Sequence, residues 1–456
     1  MYMREKLGSR LGFILLSAGC AIGIGNVWRF PYITGLYGGG LFVLVYLLFL
    51  VILGIPVLTM EYAVGRASRV SIYPAYRKLE PAGSKWHVFG WFAMAGNYVL
   101  LMFYSVVSGW ILHYAGMMFS GRLSNGDADS LSAAFGEMMS SPGILIRSML
   151  IVMVITVVVC AAGLQNGVER ITKVMMTTLI VLMVILGVNS IMLPGGAEGL
   201  KFYLMPNPDN FRDQGIGNVV YAALTQSFFT LSLGMGGMEI FGSYIGKDKS
   251  LAGEAVLVAA LDTFVAIVAG LIIFPACFAY GIPADSGPGL IFVTIPKVFD
   301  NMPQGRLWGS LFFVFLFFAA LSTMIGVFEN IISFSVDLAG ADRKKAAFIN
   351  GIIIAVGSIP CALGFNVLSF IEPLKAGNCI MDLEDFYVSN LVLPIGSFLI
   401  ALFCTSKYGW GFENYLKEVN TGEGLKVSPA LRFYFKYILP LITGFLIVFG
   451  LYKYFA

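Results

Sequence analysis

The chain has 456 residues, 58% of them hydrophobic and 12% charged, with a net charge of +3; soluble domains run to roughly 45–50% apolar and 25% charged. That composition excludes a soluble domain, and so small a net charge gives no reason to expect nucleic acid as a partner. The two histidines, His87 and His113, form no HExxH motif and no nucleophile–base pair stands out, so no enzyme is expected.

A helix needs about 20 mostly apolar residues to cross a hydrocarbon core of roughly 30 Å. Runs of that kind predict helical spans at 11–36, 40–66, 87–119, 144–162, 167–193, 217–246, 251–279, 307–339, 345–363, 379–405 and 430–454. The strands of a membrane barrel would alternate apolar and polar residues, and these runs do not. The fold class is therefore an all-α polytopic membrane protein embedded in the lipid bilayer.

Span one is interrupted halfway by Gly19-Cys20-Ala21-Ile22-Gly23-Ile24-Gly25-Asn26. Each interior glycine costs about 1 kcal/mol against alanine. Arg29 follows on the outer limb. Tyr104 sits midway along span three, either as a core tyrosine or as a ligand for something at the centre. Span six repeats the interruption, with Phe229-Thr230-Leu231-Ser232-Leu233-Gly234-Met235-Gly236-Gly237 near its middle. Asp262 lies near the centre of span seven, where a lone carboxylate costs a few kcal/mol or more unless a cation, a proton or an arginine neutralises it. Ala319, Ser322, Thr323, Gly326, Val327 and Asn330 share one face of span eight. Span ten enters from outside and carries Asp385 six residues in, so Arg29 and Asp385 are expected at similar depth above the central cluster.

Two interruptions five spans apart make spans one to five and six to ten equivalent halves. An odd number of spans per half inverts the second half. The expected organisation is a first repeat at 1–193, an extracellular loop at 194–216, a second repeat at 217–405, and a cytoplasmic loop with span eleven at 406–456. Transporters built this way bind at the midplane, where broken helices free N–H groups for anions and carbonyls for cations.

Lysine and arginine set the orientation. With the N-terminus inside, the inner segments carry Arg4, Lys6, Arg10, Arg66, Arg69, Arg77, Lys78, Arg343, Lys344, Lys345, Lys407 and Lys417 among others, and the outer ones far fewer, Arg212 and Arg306 included. That bias predicts N-in and C-out. No N-x-S/T sequon occurs and no cleavable leader precedes span one, which fits a prokaryotic inner membrane. The six cysteines read as small core hydrophobes, although Cys361 and Cys379 flank one outer loop and a bridge there stays open.

Arg10-Leu11-Gly12-Phe13, Gly19 to Gly25, Asn26-Val27-Trp28-Arg29-Phe30-Pro31-Tyr32, Gly38-Gly39-Gly40, Pro56, Glu61, Gly65-Arg66 and Gln226 to Gly234 together resemble the neurotransmitter:sodium symporter family, as do Gly167 to Arg170 and Asp385-Phe386. The resemblance runs in order along essentially the whole chain. It implies the LeuT fold, a 5+5 inverted repeat with helices one and six broken plus helix eleven, and sodium-coupled uptake of a small molecule. It implies a first sodium site from the Ala21 carbonyl, Asn26, Thr230 and Asp262. It implies a second from the Gly19, Ile22 and Ala319 carbonyls with the Ser322 and Thr323 hydroxyls. Substrate would meet the backbone between Ala21 and Gly25, with Tyr104 bonding its carboxylate. The substrate side chain would meet Ile24, Leu100, Phe229, Thr230, Ser232, Met235 and Val327. Arg29 and Asp385 would form an outer gate.

Three residues refine the expectation. Gly23 stands where amine transporters of the family carry an aspartate, which leaves room for an amino-acid carboxylate. Met235, flexible and adaptable, replaces a bulky phenylalanine and points to large or aromatic substrates. Asp262 replaces the more frequent asparagine and brings the charge that animal members draw from chloride; Tyr46, Gln226 and Asp262 mark the chloride-site equivalent. The expected protein is a chloride-independent sodium symporter for a neutral, hydrophobic or aromatic L-amino acid. The alternative is a proton-coupled permease of the same fold in which Asp262 titrates, but Ser322 and Thr323 would then serve no purpose. One departure concerns span five, where Thr177 stands at the usual proline position after Gly167.

Overall fold

The computed structural model describes residues 7–123, 128–208, 214–281 and 289–455; Arg4, Lys6 and Arg212 of the charge pattern lie outside them. Among the described residues, nine continuous helices are long and apolar enough to cross a membrane: Gly40–Ser68, Val88–Ser120, Pro142–Ala161, Leu164–Ile191, Leu251–Ala279, Gly305–Ala339, Arg343–Leu363, Ile380–Thr405 and Pro429–Tyr452. Two further spans are broken. Span one consists of Arg10–Ala21 and Gly25–Leu36, bent by 57°. Span six consists of Ile216–Phe229 and Gly237–Tyr244. Among the described residues there is no strand, only an isolated bridge between Lys249 and Glu423.

The breaks have local causes. Ser9 caps span one by accepting Gly12 N–H at 3.0 Å. The helix stops where Ile22 turns extended, with ψ at 98°. In span six the chain takes positive φ at Ser232 (51°), Gly234 (93°) and Gly236 (74°). Left-handed backbone is cheap for glycine and costly for serine. A Cβ at Gly234 would also come within 2.4 Å of the Leu393 carbonyl oxygen of span ten.

Burial shows which helices form the centre. The apolar windows of Val88–Ser120 and Gly305–Ala339 are 72% and 78% buried within the protein, against 33% for Pro429–Tyr452. Spans three and eight pack on each other and flank the two broken helices; span eleven lies at the lipid face. Leu164–Ile191 runs unbroken through Thr177 after a wide first turn. The loop at 194–216 contains the helix Gly196–Leu204, and short helices at Ile72–Leu79, Ala128–Ser140 and Phe412–Val419 join other spans. Hydropathy does not mark these, because each is shorter than a membrane crossing. Cys361 and Cys379 are both free thiols.

Candidate functional site

Asp262 is the centre of the site. It is fully buried on span seven. Asn26 Nδ2 donates to its Oδ1 at 2.8 Å, and the Thr230 hydroxyl to its Oδ2 at 2.7 Å. Asn26 also lies 3.2 Å from the Thr230 hydroxyl and accepts the Gly23 N–H at 3.2 Å. One side chain therefore ties the break in span one to span six and span seven. No lysine, arginine or histidine pairs with Asp262 among the described residues. A buried carboxylate with donors but no protein cation is a place for a bound cation.

Behind it lies an oxygen cage. The Thr323 hydroxyl sits 3.4 Å from the Gly19 carbonyl, 3.2 Å from that of Ile22 and 3.4 Å from that of Ala319. Ser322 Oγ lies 3.4 Å from the Ile22 carbonyl and 3.0 Å from that of Ala319. Three carbonyls thus face two hydroxyl protons. The Gly19 and Ile22 carbonyls are free because the helix ends there and no later N–H reaches back. An excess of hard oxygen acceptors with no soft ligand suits an alkali cation. Sodium bound there would supply the positive charge that both the cage and Asp262 lack.

A cavity of about 370 Å³ opens from the break in span one toward the limb that bears Arg29. That volume is within the roughly 300–1,000 Å³ of small-molecule sites. Ile24, Gly25, Tyr104 and Phe229 line its floor, and Trp28, Tyr32, Phe103 and Val107 its walls. The Tyr104 hydroxyl accepts the Ile24 N–H at 2.8 Å. A Cβ on Gly23 would come within 2.4 Å of that hydroxyl and 2.6 Å of Thr323 Oγ1. A Cβ on Gly25 would come within 2.6 Å of the Phe229 ring. Gly25 therefore keeps the backbone bare at the cavity, and Gly23 keeps it bare behind, against Tyr104 and Thr323.

Ala21, Gly23, Leu100, Thr230, Met235 and Val327 are buried deeper and do not line this cavity, and neither does the half-buried Ser232. Arg29 and Asp385 both face the cavity, but no ion pair within 4 Å joins them among the described residues. The Arg29 guanidinium instead stacks 4.0 Å above the Phe229 ring, and Asp385 accepts from Ser389 Oγ at 2.8 Å. Tyr46 neighbours Asp262, with its hydroxyl facing Thr230 and Thr263, and both amide atoms of Gln226 are buried without a hydrogen-bond partner among the described residues.

The sequence did not point to the cavity-lining Trp28, Tyr32, Phe103, Val107 and Asp382, nor to Asn97. Asn97 Nδ2 donates to the Met235 carbonyl at 2.8 Å, and Asn330 Nδ2 reaches the same carbonyl at 3.3 Å and Asn97 Oδ1 at 3.1 Å. These amides hold the unwound stretch of span six against spans three and eight. Asn97, Leu100 and Tyr104 stand at i, i+3 and i+7, one face of a helix, and that spacing was the available signal.

The model of the Sodium:neurotransmitter symporter family matches residues 4–134 and 129–456. An uncharacterised sodium-dependent transporter of Bacillus subtilis, YhdH, is 36% identical over 440 residues, covering 96% of this chain and 95% of the relative. An uncharacterised sodium-dependent transporter of Haemophilus influenzae is 30% identical over 453 residues, covering 96% of each. Among solved structures, that of MhsT in complex with L-phenylalanine superposes with a TM-score of 0.88 at 38% identity, covering 98% of this chain and 99% of that one.

Proposed function

The chain belongs to the sodium:neurotransmitter symporter family and is a sodium-coupled membrane transporter of a small molecule, and from that premise we propose that it imports a neutral, hydrophobic or aromatic L-amino acid without needing chloride. The observation that carries this reading is Asp262, buried without a lysine, arginine or histidine partner among the described residues and held by Asn26 and Thr230 one helix away from the oxygen cage. Two sodium ions would fit, one at Ala21, Asn26, Thr230 and Asp262, the other at Gly19, Ile22, Ala319, Ser322 and Thr323. Asp262 offsets their charge covalently, at a place where opposite charges a few Å apart interact by several kcal/mol even at an effective dielectric near 20.

The bare backbone at Gly23 and Gly25 supports a carboxylate as the substrate's anionic group, with Tyr104 as its second anchor. The bound L-phenylalanine of MhsT, a protein alike over nearly the whole chain, supports an aromatic side chain. Both Asp262 oxygens face donors, and Asn26 Nδ2 can only donate. Donors at both oxygens suit an ionised carboxylate and support sodium as its coupling ion. The topology we infer has the N-terminus in the cytoplasm of a prokaryotic cell, so the cavity faces outward.

Equilibrium binding of L-phenylalanine in sodium and in potassium is the test. Affinity is expected in sodium alone; equal affinity in both salts would sink the proposal.

A further inference from the structure

Outside the transport site the molecule buries a second set of carboxylates. Glu61 of span two and Glu239 of the Gly237–Tyr244 half of span six are both wholly inaccessible to solvent. Glu61 Oε1 accepts the Gly234 N–H at 2.6 Å. The backbone N–H groups of Met238 and Glu239 also face the Glu61 carboxyl, whereas both oxygens of Glu239 have no hydrogen-bond partner among the described residues. The Tyr76 hydroxyl, buried on the helix Ile72–Leu79, and Ser397 Oγ, buried on span ten, lack partners as well. Tyr76 and the Cys404 thiol are electrostatic neighbours of both carboxyl groups, and the two carboxyls are neighbours of each other.

Charge on the surrounding elements is committed elsewhere. On span two, Arg66 pairs with Glu418 at 2.6 Å and Arg69 donates to the Ser243 carbonyl at 3.1 Å. On the inner limb of span one, Arg10 pairs with Glu254 of span seven at 2.8 Å. At the end of span eight, Arg343 pairs with Glu329, which also accepts from Tyr244 at 2.8 Å. The remaining titratable groups here are neutral donors: the Cys20 thiol beside Glu61, and Tyr62, whose hydroxyl donates to Met238 Sδ at 3.7 Å. Two ionised carboxylates together, buried and without a cation, would cost several kcal/mol each. The usual resolution is one proton between them.

We propose that Glu61 and Glu239 form a proton-binding site whose occupancy sets the affinity of the substrate pocket. Glu61 carries the charge, because it has the Gly234 N–H and sits where the second half-helix of span six begins. Glu239 carries the proton, because no donor reaches either of its oxygens. The route to the pocket is short. Gly234 is followed by Met235, whose carbonyl anchors Asn97 and Asn330 against the substrate site. Loss of the proton sets two negative charges against each other beside that backbone, so the break must readjust. By linkage, whatever the proton does to ligand affinity, the ligand does to proton affinity. This step rests on the reading that an amino acid binds beside the break.

The experiment uses the purified full-length protein. Infrared spectroscopy is expected to show the carbonyl band of a protonated carboxylic acid in the wild type in the absence of sodium, and Glu239→Gln is expected to remove it. In saturating sodium, L-phenylalanine affinity of the wild type should change about tenfold or more as the pair titrates, and by less than about twofold in Glu239→Gln over the same pH range. Should Glu239→Gln fold poorly, Glu239→Met and Tyr76→Phe serve in its place, the first removing the band and the second shifting the pH at which it is lost. A wild type without the band, a band that survives in Glu239→Gln, or a band that sodium erases would each overturn the proton site. A pH profile unchanged by the substitution would overturn its link to the pocket. Failure of the transport reading is distinct: the wild type would bind no L-phenylalanine at any pH while the band remained.

Discussion

The two ends of the transport path treat charge in opposite ways. At the end that holds the start of span one, arginines are paired: Arg66, fully buried, with Glu418; Arg343, largely buried, with the buried Glu329; and Arg10, itself exposed, with the buried Glu254. Arg66 also donates to backbone carbonyls, at 2.7 Å to that of Lys249 and to that of Glu418, and so ties span two to the helix Phe412–Val419. At the opposite end Arg29, Asp382 and Asp385 line an open cavity, and the expected Arg29–Asp385 pair is not made. A closed end and an open end are what alternating access would require around the proposed binding site. The difference teaches that one end is closed by desolvated ion pairs, which are costly to break singly. The other has the same residue types standing apart along an open cavity, with no ion pair within 4 Å between Arg29 and Asp385 among the described residues.

The substitution expected to break this comparison most severely is at the pivot between the two ends. Asp262→Ala removes the one charge that faces both Asn26 and Thr230, and takes away the acceptor of the Thr230 hydroxyl and the shortest bond of Asn26 Nδ2. The loss is expected near 3 kcal/mol or more, which is about 100-fold or greater in sodium-dependent affinity. Titration calorimetry with sodium and L-phenylalanine reads it, and wild-type affinity would remove Asp262 from the cation site.

Next in size is the closed end. Arg343→Ala strands Glu329, which is fully buried, at a cost of roughly 3–5 kcal/mol. A lower unfolding temperature is expected, together with faster labelling of the buried Cys160 thiol, because Arg343 Nε donates to the Cys160 carbonyl at 3.0 Å. Unchanged labelling would show that this ion pair does not hold the end shut.

The open end should respond less in binding and more in turnover. Arg29→Ala gives up the stack on Phe229, worth about 0.5–2 kcal/mol, so affinity should fall by roughly three- to thirtyfold at most. Uptake into proteoliposomes should fall further than binding, as closure of the vestibule would lose its pair with Asp385. Equal losses in both measurements would make Arg29 a pocket residue and no gate. The smallest effect is a null one: replacing chloride by gluconate should leave uptake unchanged, and a wild type that stalls would assign Asp262 another role.

Much of this was legible in the chain. The spans follow from runs of apolar residues, and the interruptions follow from glycine clusters, because both are local properties of backbone and side chain. Asp262 was visible as a lone charge in an apolar helix. Asn97 was not singled out, since one amide on a helix gains its meaning from the carbonyl it meets, and Met235 lies 138 residues away. The short connecting helices lacked a signal for a similar reason: their apolar faces are read only by what they pack against.

The sequence by itself determined where the chain crosses the membrane, where two crossings break, and which residue types stand at those breaks, since each depends on neighbours a few positions apart. Only the tertiary structure decided that Asn26 meets Thr230 and Asp262 across separations of 204 and 236 residues. It alone decided that Arg29 and Asp385 stand apart and that Glu61 and Glu239 share a buried place without a cation. Those outcomes depend on how eleven spans stack, and a contact between distant spans is set by shape and burial summed over the whole bundle, which no local pattern encodes.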